Sequence, residues 1–138
     1  MATEKARGFQ VTELTFLTHL APKFDIPVPE HLTADATRSE VRDALIRWGG
    51  KGIVKPDILT GYRGKSGGVF TVTDPRDAMK KLKAAAAVEI KGKIARTAYM
   101  VQHIPAEREL YTAITYDSHH LSPAFTLAME GGVDVETV

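Results

Sequence analysis

The chain has 138 residues, 43% of them apolar, with 18 Lys and Arg balancing 17 Asp and Glu and no cysteine. That length fits one domain, at most two lobes, burying roughly two-thirds of the unfolded chain's surface, and the composition excludes disorder and collagen-like structure. A disulfide scaffold, a thiolate metal site and a Cys nucleophile are excluded too, and a net charge of +1 sets up no field that would draw nucleic acid or membrane.

Leu14, Leu17 and Ala21 recur at helical spacing, with Phe16 and Leu20 widening the stripe, and predict a first helix over Val11 to Leu20 ended by Ala21-Pro22. Pro27 and Pro29 make Phe24 to His31 extended, along a sheet edge. Thr37 and Glu40 form a capping box for a second helix. Its apolar positions are Val41, Ala44, Leu45 and Trp48, and Gly49-Gly50 ends it. Gly52 to Lys55 reads as a short strand halted by Pro56, and a loop follows from about Asp57 to Gly67. Val69 to Thr73 is a second strand. Asp74 caps a third helix with Pro75 at its first position; Ala78, Met79, Leu82 and Ala85 or Ala86 form its apolar side, with Lys80, Lys81 and Lys83 facing water. After Gly92 the period changes to two. Thr97 to Gln102, Arg108 to Tyr116 and Pro123 to Met129 are strands, the last two joined by the turn Asp117 to Ser122 so that Leu110, Ile114 and Tyr116 match Phe125, Leu127 and Met129. The order is an α+β pattern without repeats. The longest apolar runs, such as Ala84 to Val88, are too short to span a bilayer. MATEKARGFQ reads as neither a signal nor a transit peptide.

The most informative stretch is Gly61-Tyr62-Arg63-Gly64-Lys65-Ser66-Gly67-Gly68. Glycines let successive backbone N–H groups turn inward as a nest for anionic oxygens, and Arg63 and Lys65 add cations. A Walker A reading fails, because Leu59 stands where the first glycine is needed and a strand follows where a helix should start. Two readings remain: a flap over phosphates, or a long hairpin loop with solubilising charge. Lys55 shares a strand face with Ile53, either at a rim or reaching a ligand anion. Glu107, Arg108 and Glu109 begin a strand and Glu130 ends another; unless a further motif unites them they are solvated strand ends. His119 and His120 are adjacent in a turn, pointing apart as a poor chelate. No histidine is assigned to catalysis or metal, and no nucleophilic triad is identifiable.

Taken together, VKPDILTGYRGKSGGV, ERELY and the closing EGGVDVETV resemble the N-terminal half of the ATP-grasp module of the acyl-CoA synthetases. These are the nucleotide-binding subunits of succinyl-CoA ligase and, more closely, ATP citrate lyase and citryl-CoA synthetase. Pro56, Asp57 and EGGVDV favour the citrate branch. The resemblance implies an incomplete ATP-grasp fold, with a small lobe over residues 1–106 and the first strands of a second lobe over 107–138. It implies that Lys55 contacts ATP phosphate and that Tyr62, Arg63 and Gly64 lie by the nucleotide, with Lys65 as a flap cation. Met100 to His103 would be the hinge reading adenine. Gln102 stands near where the family carries a ribose-binding Glu, and Glu109 matches the acid of the Glu-Leu-Tyr strand. Glu130-Gly131-Gly132 matches a family loop of unassigned role.

The implied cofactors are ATP with Mg²⁺, whose ligands fall outside these residues, and CoA bound by other parts of the enzyme. The implied partner is the remainder of the same enzyme, or a second subunit carrying the CoA-binding domain and the phosphohistidine. That assembly would be an oligomer, cytoplasmic, with no role for nucleic acid or membrane. The whole enzyme would phosphorylate a histidine, pass phosphate to citrate and capture citryl phosphate with CoA; this chain alone would be inactive. The alternatives are succinyl-CoA ligase or a related synthetase, and a non-catalytic ATP-grasp interaction module. A more distant one is a nucleic-acid binder built on Lys80, Lys81, Lys83, Lys91, Lys93 and Arg96, which lacks interleaved aromatics.

Overall fold

Thr37 caps a helix in the computed structural model, which describes residues 10–61, 63–129 and 131. The Thr37 side chain accepts from the Glu40 backbone N–H, and Glu40 Oε2 accepts in return from the Thr37 N–H at 2.7 Å. Helix α2 then runs over Arg38–Arg47. Its end is a Schellman closure: Gly50 N–H donates to Leu45 O at 2.7 Å, Gly49 N–H to Ile46 O at 3.3 Å, and Gly49 carries φ +75°. Helix α3, Pro75–Ala86, begins in the same local manner, with Asp74 Oδ1 accepting from the N–H groups of Arg76 and Asp77 at 2.8 and 3.0 Å.

The chain divides into two compact units, Met1–His103 and Ile104–Val138. The first holds a four-stranded antiparallel sheet in the order β1-β6-β2-β3, made of β1 His31–Thr33, β2 Gly52–Asp57, β3 Phe70–Val72 and β6 Thr97–Gln102. On β2, Gly52, Val54 and Pro56 alternate with Ile53, Lys55 and Asp57, and the two sets face opposite ways. Val54, Val72, Ala98 and Met100 pack with Val41, Ala44, Leu45 and Trp48 of α2 and with Ala78, Leu82 and Ala85 of α3 in the main core. On the other face Ile53, Tyr99 and Val101 pack with Leu14 and Leu17.

The first helix departs from expectation in form and length. Thr12 caps a single α turn, α1, Glu13–Thr15; a π turn follows over Phe16–Leu20 and a 3₁₀ turn over Ala21–Phe24. Pro22 does not end it, because its missing N–H falls in the first turn of the 3₁₀ segment, where no partner is needed. Asp25, in the left-handed region at φ +51°, closes it. The prolines at 27 and 29 precede the strand instead of lying in it, and β1 takes the predicted edge position.

Pro56 likewise does not halt its strand. It pairs with Ala98 on β6, while β3 has already ended opposite Val54, so the missing donor costs no ladder bond on that side. A small hairpin of β4 Glu89–Ile90 and β5 Lys93–Ile94 was not foreseen. Its turn residues Lys91 and Gly92 have φ of 52° and 73°, a conformation usually signalled by Asn-Gly rather than Lys-Gly. Ile90 of this hairpin packs with Ile58 and Ala95 beneath the glycine loop. Lys81 does not simply face water, since its Nζ sits 4.7 Å from the centre of the Phe70 ring.

In the second unit, β7 Tyr111–Asp117 and β8 Ser122–Ala128 form the expected hairpin, with Ile114 opposite Phe125, Thr112 opposite Leu127 and Tyr116 opposite Pro123. The strand starts at Tyr111, not Arg108, so Glu107, Arg108 and Glu109 lie exposed ahead of it, where β8 offers no partner. The turn is fixed by Asp117, whose Oδ1 accepts from the His119 N–H at 2.8 Å and whose Oδ2 lies 2.6 Å from His120 Nδ1. The two imidazoles do not point apart; they meet edge to face with centroids 4.9 Å apart. Gly131 abuts the backbone here, because a Cβ on it would lie 2.9 Å from the Leu110 carbonyl carbon. Glu130 and Gly132 to Val138 lie outside the described residues. Among the described residues no helix is long and apolar enough to cross a membrane.

Candidate functional site

Lys55 leaves β2 on the face that carries Tyr99, its direct partner across β6. Its ammonium does not end in water. Lys55 Nζ donates to Glu13 Oε1 at 2.8 Å, and the other carboxylate oxygen, Oε2, accepts from Arg63 Nη2. Arg63 Nη1 lies 3.4 Å from the Tyr99 hydroxyl and 3.5 Å from the Pro56 carbonyl oxygen. One acid from α1, one base from β2 and one from the glycine loop therefore converge, each side chain only about a quarter exposed (29%, 27% and 25%).

The electrostatics follow from that geometry. Burial alone would raise the Glu13 pKa, but the charges and hydrogen bonds of Lys55 and Arg63 overcome it and hold the carboxyl at about 2. Burial, with the nearby Glu13 charge, pushes the Tyr99 phenol up, so it stays protonated. The cluster is a site that stabilises a negatively charged oxygen between an ammonium and a guanidinium. An open groove of about 400 Å³ runs beside it, with Thr12 and Glu13 on one wall and Thr60, Gly61 and Arg63 on the other.

The glycine loop is more closed than a nest would require. Gly68 N–H donates to Arg63 O at 3.0 Å and Gly67 N–H to Gly64 O at 3.2 Å, with Gly67 at φ +71°. This is again a Schellman closure, so both amides are engaged inside the loop rather than turned toward an anion. Gly68 is buried with little room for a side chain: a Cβ there would lie 3.2 Å from Pro56 Cγ and 3.3 Å from Arg63 O. Gly64 and Lys65 sit exposed at the loop surface, and Tyr62 lies outside the described residues.

Of the other expected residues, Gln102 ends β6 opposite Gly52. Its N–H donates to Glu30 O at 2.8 Å, and His103 N–H reaches Lys51 O at 3.4 Å. Glu109 belongs to the second unit, exposed before β7. The structure thus unites Lys55 and Arg63, and the acid that joins them, Glu13, was not foreseen. A signal existed, since Glu13, Leu17 and Ala21 fall at i, i+4 and i+8, placing an acid on the stripe whose other members are buried. Glu30 was also missed. It pairs with Arg47 and accepts from Trp48 Nε1 at 2.6 Å, tying the start of β1 to the end of α2. Among the described residues no group of three or more His, Asp or Glu side chains is placed to hold a metal ion.

Comparison with known proteins gives a consistent result. The ATP-grasp domain family matches residues 17–138. The beta subunit of ADP-forming succinate–CoA ligase from Rubrobacter xylanophilus is 35% identical over 102 residues, 74% of this chain and 27% of its own length. The corresponding subunit from Methanocaldococcus jannaschii is 30% identical over 119 residues, 84% of this chain and 31% of its own. Among solved structures, ATP citrate lyase from Methanothrix soehngenii, in complex with citrate and coenzyme A, matches with a TM-score of 0.55 at 23% identity, over 86% of this chain and 30% of that one. That last likeness is one of fold. The chain spans between about a quarter and a third of the length of these relatives.

Proposed function

Because this chain belongs to the ATP-grasp domain family, we propose that its first unit supplies one wall of a nucleotide site in an acyl-CoA synthetase, with Lys55 as the contact to phosphate. The observation that supports this reading is the convergence of Lys55 and Arg63 on a single anionic oxygen pair. In phosphoryl transfer the protein contributes mainly positioning and neutralisation of charge on phosphoryl oxygens. A lysine held on a rigid central strand meets both demands, because its backbone position is fixed by pairing on β6. Magnesium, when bound with ATP, would neutralise phosphate charge; its ligands are proposed outside the described residues.

For the acid substrate, the names of the curated relatives support succinate over citrate. Of the features that favoured citrate, EGGVDV lies almost wholly outside the described residues, and Pro56 and Asp57 lie within them. Pro56 packs beneath Gly68, and Asp57 accepts from the Leu14 N–H at 3.4 Å while its carbonyl accepts from the Arg96 N–H at 3.0 Å. Both have local structural roles. Adenine recognition from the Met100–His103 stretch would have to use carbonyl oxygens or the side chains of Gln102 and His103, since the backbone N–H groups of those two residues are engaged. Glu109 and Lys65 are retained as proposed nucleotide contacts, and so is Gly64 as a close backbone approach.

Lys55→Ala is expected to weaken Mg-ATP binding about 10- to 100-fold, the loss of one charge-assisted hydrogen bond. Calorimetry or NMR titration of the 138-residue chain measures it. Unchanged affinity would remove Lys55 from the site. Adding the remainder of the enzyme and assaying CoA-dependent ATP turnover with succinate and with citrate decides the acid.

A further inference from the structure

How many of its donors each cation already uses separates the two. A guanidinium carries five N–H groups and an ammonium three. Arg63 is engaged on three sides, by Glu13, by the Tyr99 hydroxyl and by the Pro56 carbonyl. It anchors the glycine loop to the sheet and to α1. Among the described residues Lys55 is tied through one N–H, to the other oxygen of the same carboxylate. Its ammonium is therefore placed by an acid that the arginine has already fixed.

We propose that Glu13 is a positioning residue: braced by Arg63, it holds the Lys55 ammonium in one place and leaves that ammonium's remaining N–H groups for a phosphate oxygen. This rests on the reading of Lys55 as the phosphate contact. A lysine side chain has four rotatable bonds, and ordering it on ligand binding costs affinity; ordering it beforehand removes that cost. Glu13 is suited to the task because both its oxygens are tied and its backbone sits at a capped helix start, with Thr12 Oγ1 accepting from the Thr15 N–H at 3.2 Å. The opposing effect is electrostatic. A carboxylate beside the lysine repels an incoming phosphate, so a Glu13 that merely competed for the cations would weaken binding and its removal would strengthen it.

Glu13→Asp separates these roles, because it keeps the charge but is one methylene too short to bridge both cations. Glu13→Gln keeps the length and removes the charge. NMR of the 138-residue chain reads Lys55 directly, since an ordered side chain gives inequivalent ε-protons and a free one gives a single averaged signal. The expectation is inequivalence in the parent chain, averaging in both variants, and Mg-ATP affinity lowered about 10-fold in Glu13→Asp. In the Lys55→Ala background Glu13→Asp should add no further loss. Lys55 signals that stay inequivalent in both variants, or ATP affinity unchanged or raised in Glu13→Asp, would overturn the proposal. If Lys55 order depends on Glu13 but Lys55→Ala binds ATP as well as the parent, the phosphate assignment fails instead. Trp48 fluorescence confirms that each variant is folded.

Discussion

Replacing Glu13 by Gln should change how stability depends on pH, because the half-buried carboxylate is paired with two cations. The Glu13 carboxyl is held at about 2 against an ordinary 4.5, with its side chain 29% exposed. That difference corresponds to about 3 kcal/mol of stability. Because the folded value is lowered, the contribution is fully present above about pH 4.5 and is lost as the pH falls toward 2. Glu13→Gln cannot titrate, so it should be less stable than the parent by about 3 kcal/mol at pH 7, with the gap closing at about pH 2. Comparison with the variant cancels the exposed carboxylates that are also lowered, such as Glu40 by its Thr37 hydrogen bonds and Asp74 at the head of α3. Urea unfolding followed by Trp48, the single tryptophan and 6% exposed, is the assay. With a slope of about 1–3 kcal/mol per molar, the midpoints should differ by about 1–3 M at pH 7. A gap that is constant from pH 7 to pH 2, or absent throughout, would show that the carboxylate is not stabilised by the two cations.

Thr37→Ala and Asp74→Ala each remove a helix cap and should cost about 1 kcal/mol in the same urea assay, additively because the caps share no partner; a loss in neither would refute the capping geometry. Gly68→Ala should cost about 1–3 kcal/mol, since its Cβ would press on Pro56 and on the Arg63 carbonyl. The same substitution should loosen the Arg63 anchor, seen as faster amide exchange in the loop, and an unaltered exchange pattern would mean that the loop absorbs the methyl group.

Much of the fold was legible because its signals are local. The Thr37 box, the Gly49 closure, the Asp74-Pro75 start and the Thr97–Gln102 strand each depend on contacts within a few residues, or on a period set by backbone geometry. The misreadings arose where tertiary context overrode a local rule. Pro56 stays in its strand because β3 stops short of it, and Pro22 stays helical because it falls in a first turn. The Lys91-Gly92 hairpin had no turn residue strong enough to announce it. At the site, Lys55 and Arg63 were legible as cations near a glycine loop, but their common partner was not.

The sequence by itself determined where α2 begins and ends and where α3 begins, which face of β2 carries Lys55, and that a cationic glycine loop follows it. Only the tertiary structure decided which acid those cations share. Glu13 lies 42 residues from Lys55 and 50 from Arg63. No local propensity couples positions so far apart. They meet because Leu14 and Leu17 pack their side chains on Tyr99, Val101 and Ile53, and that packing carries the acid to the face where two half-buried positive charges converge.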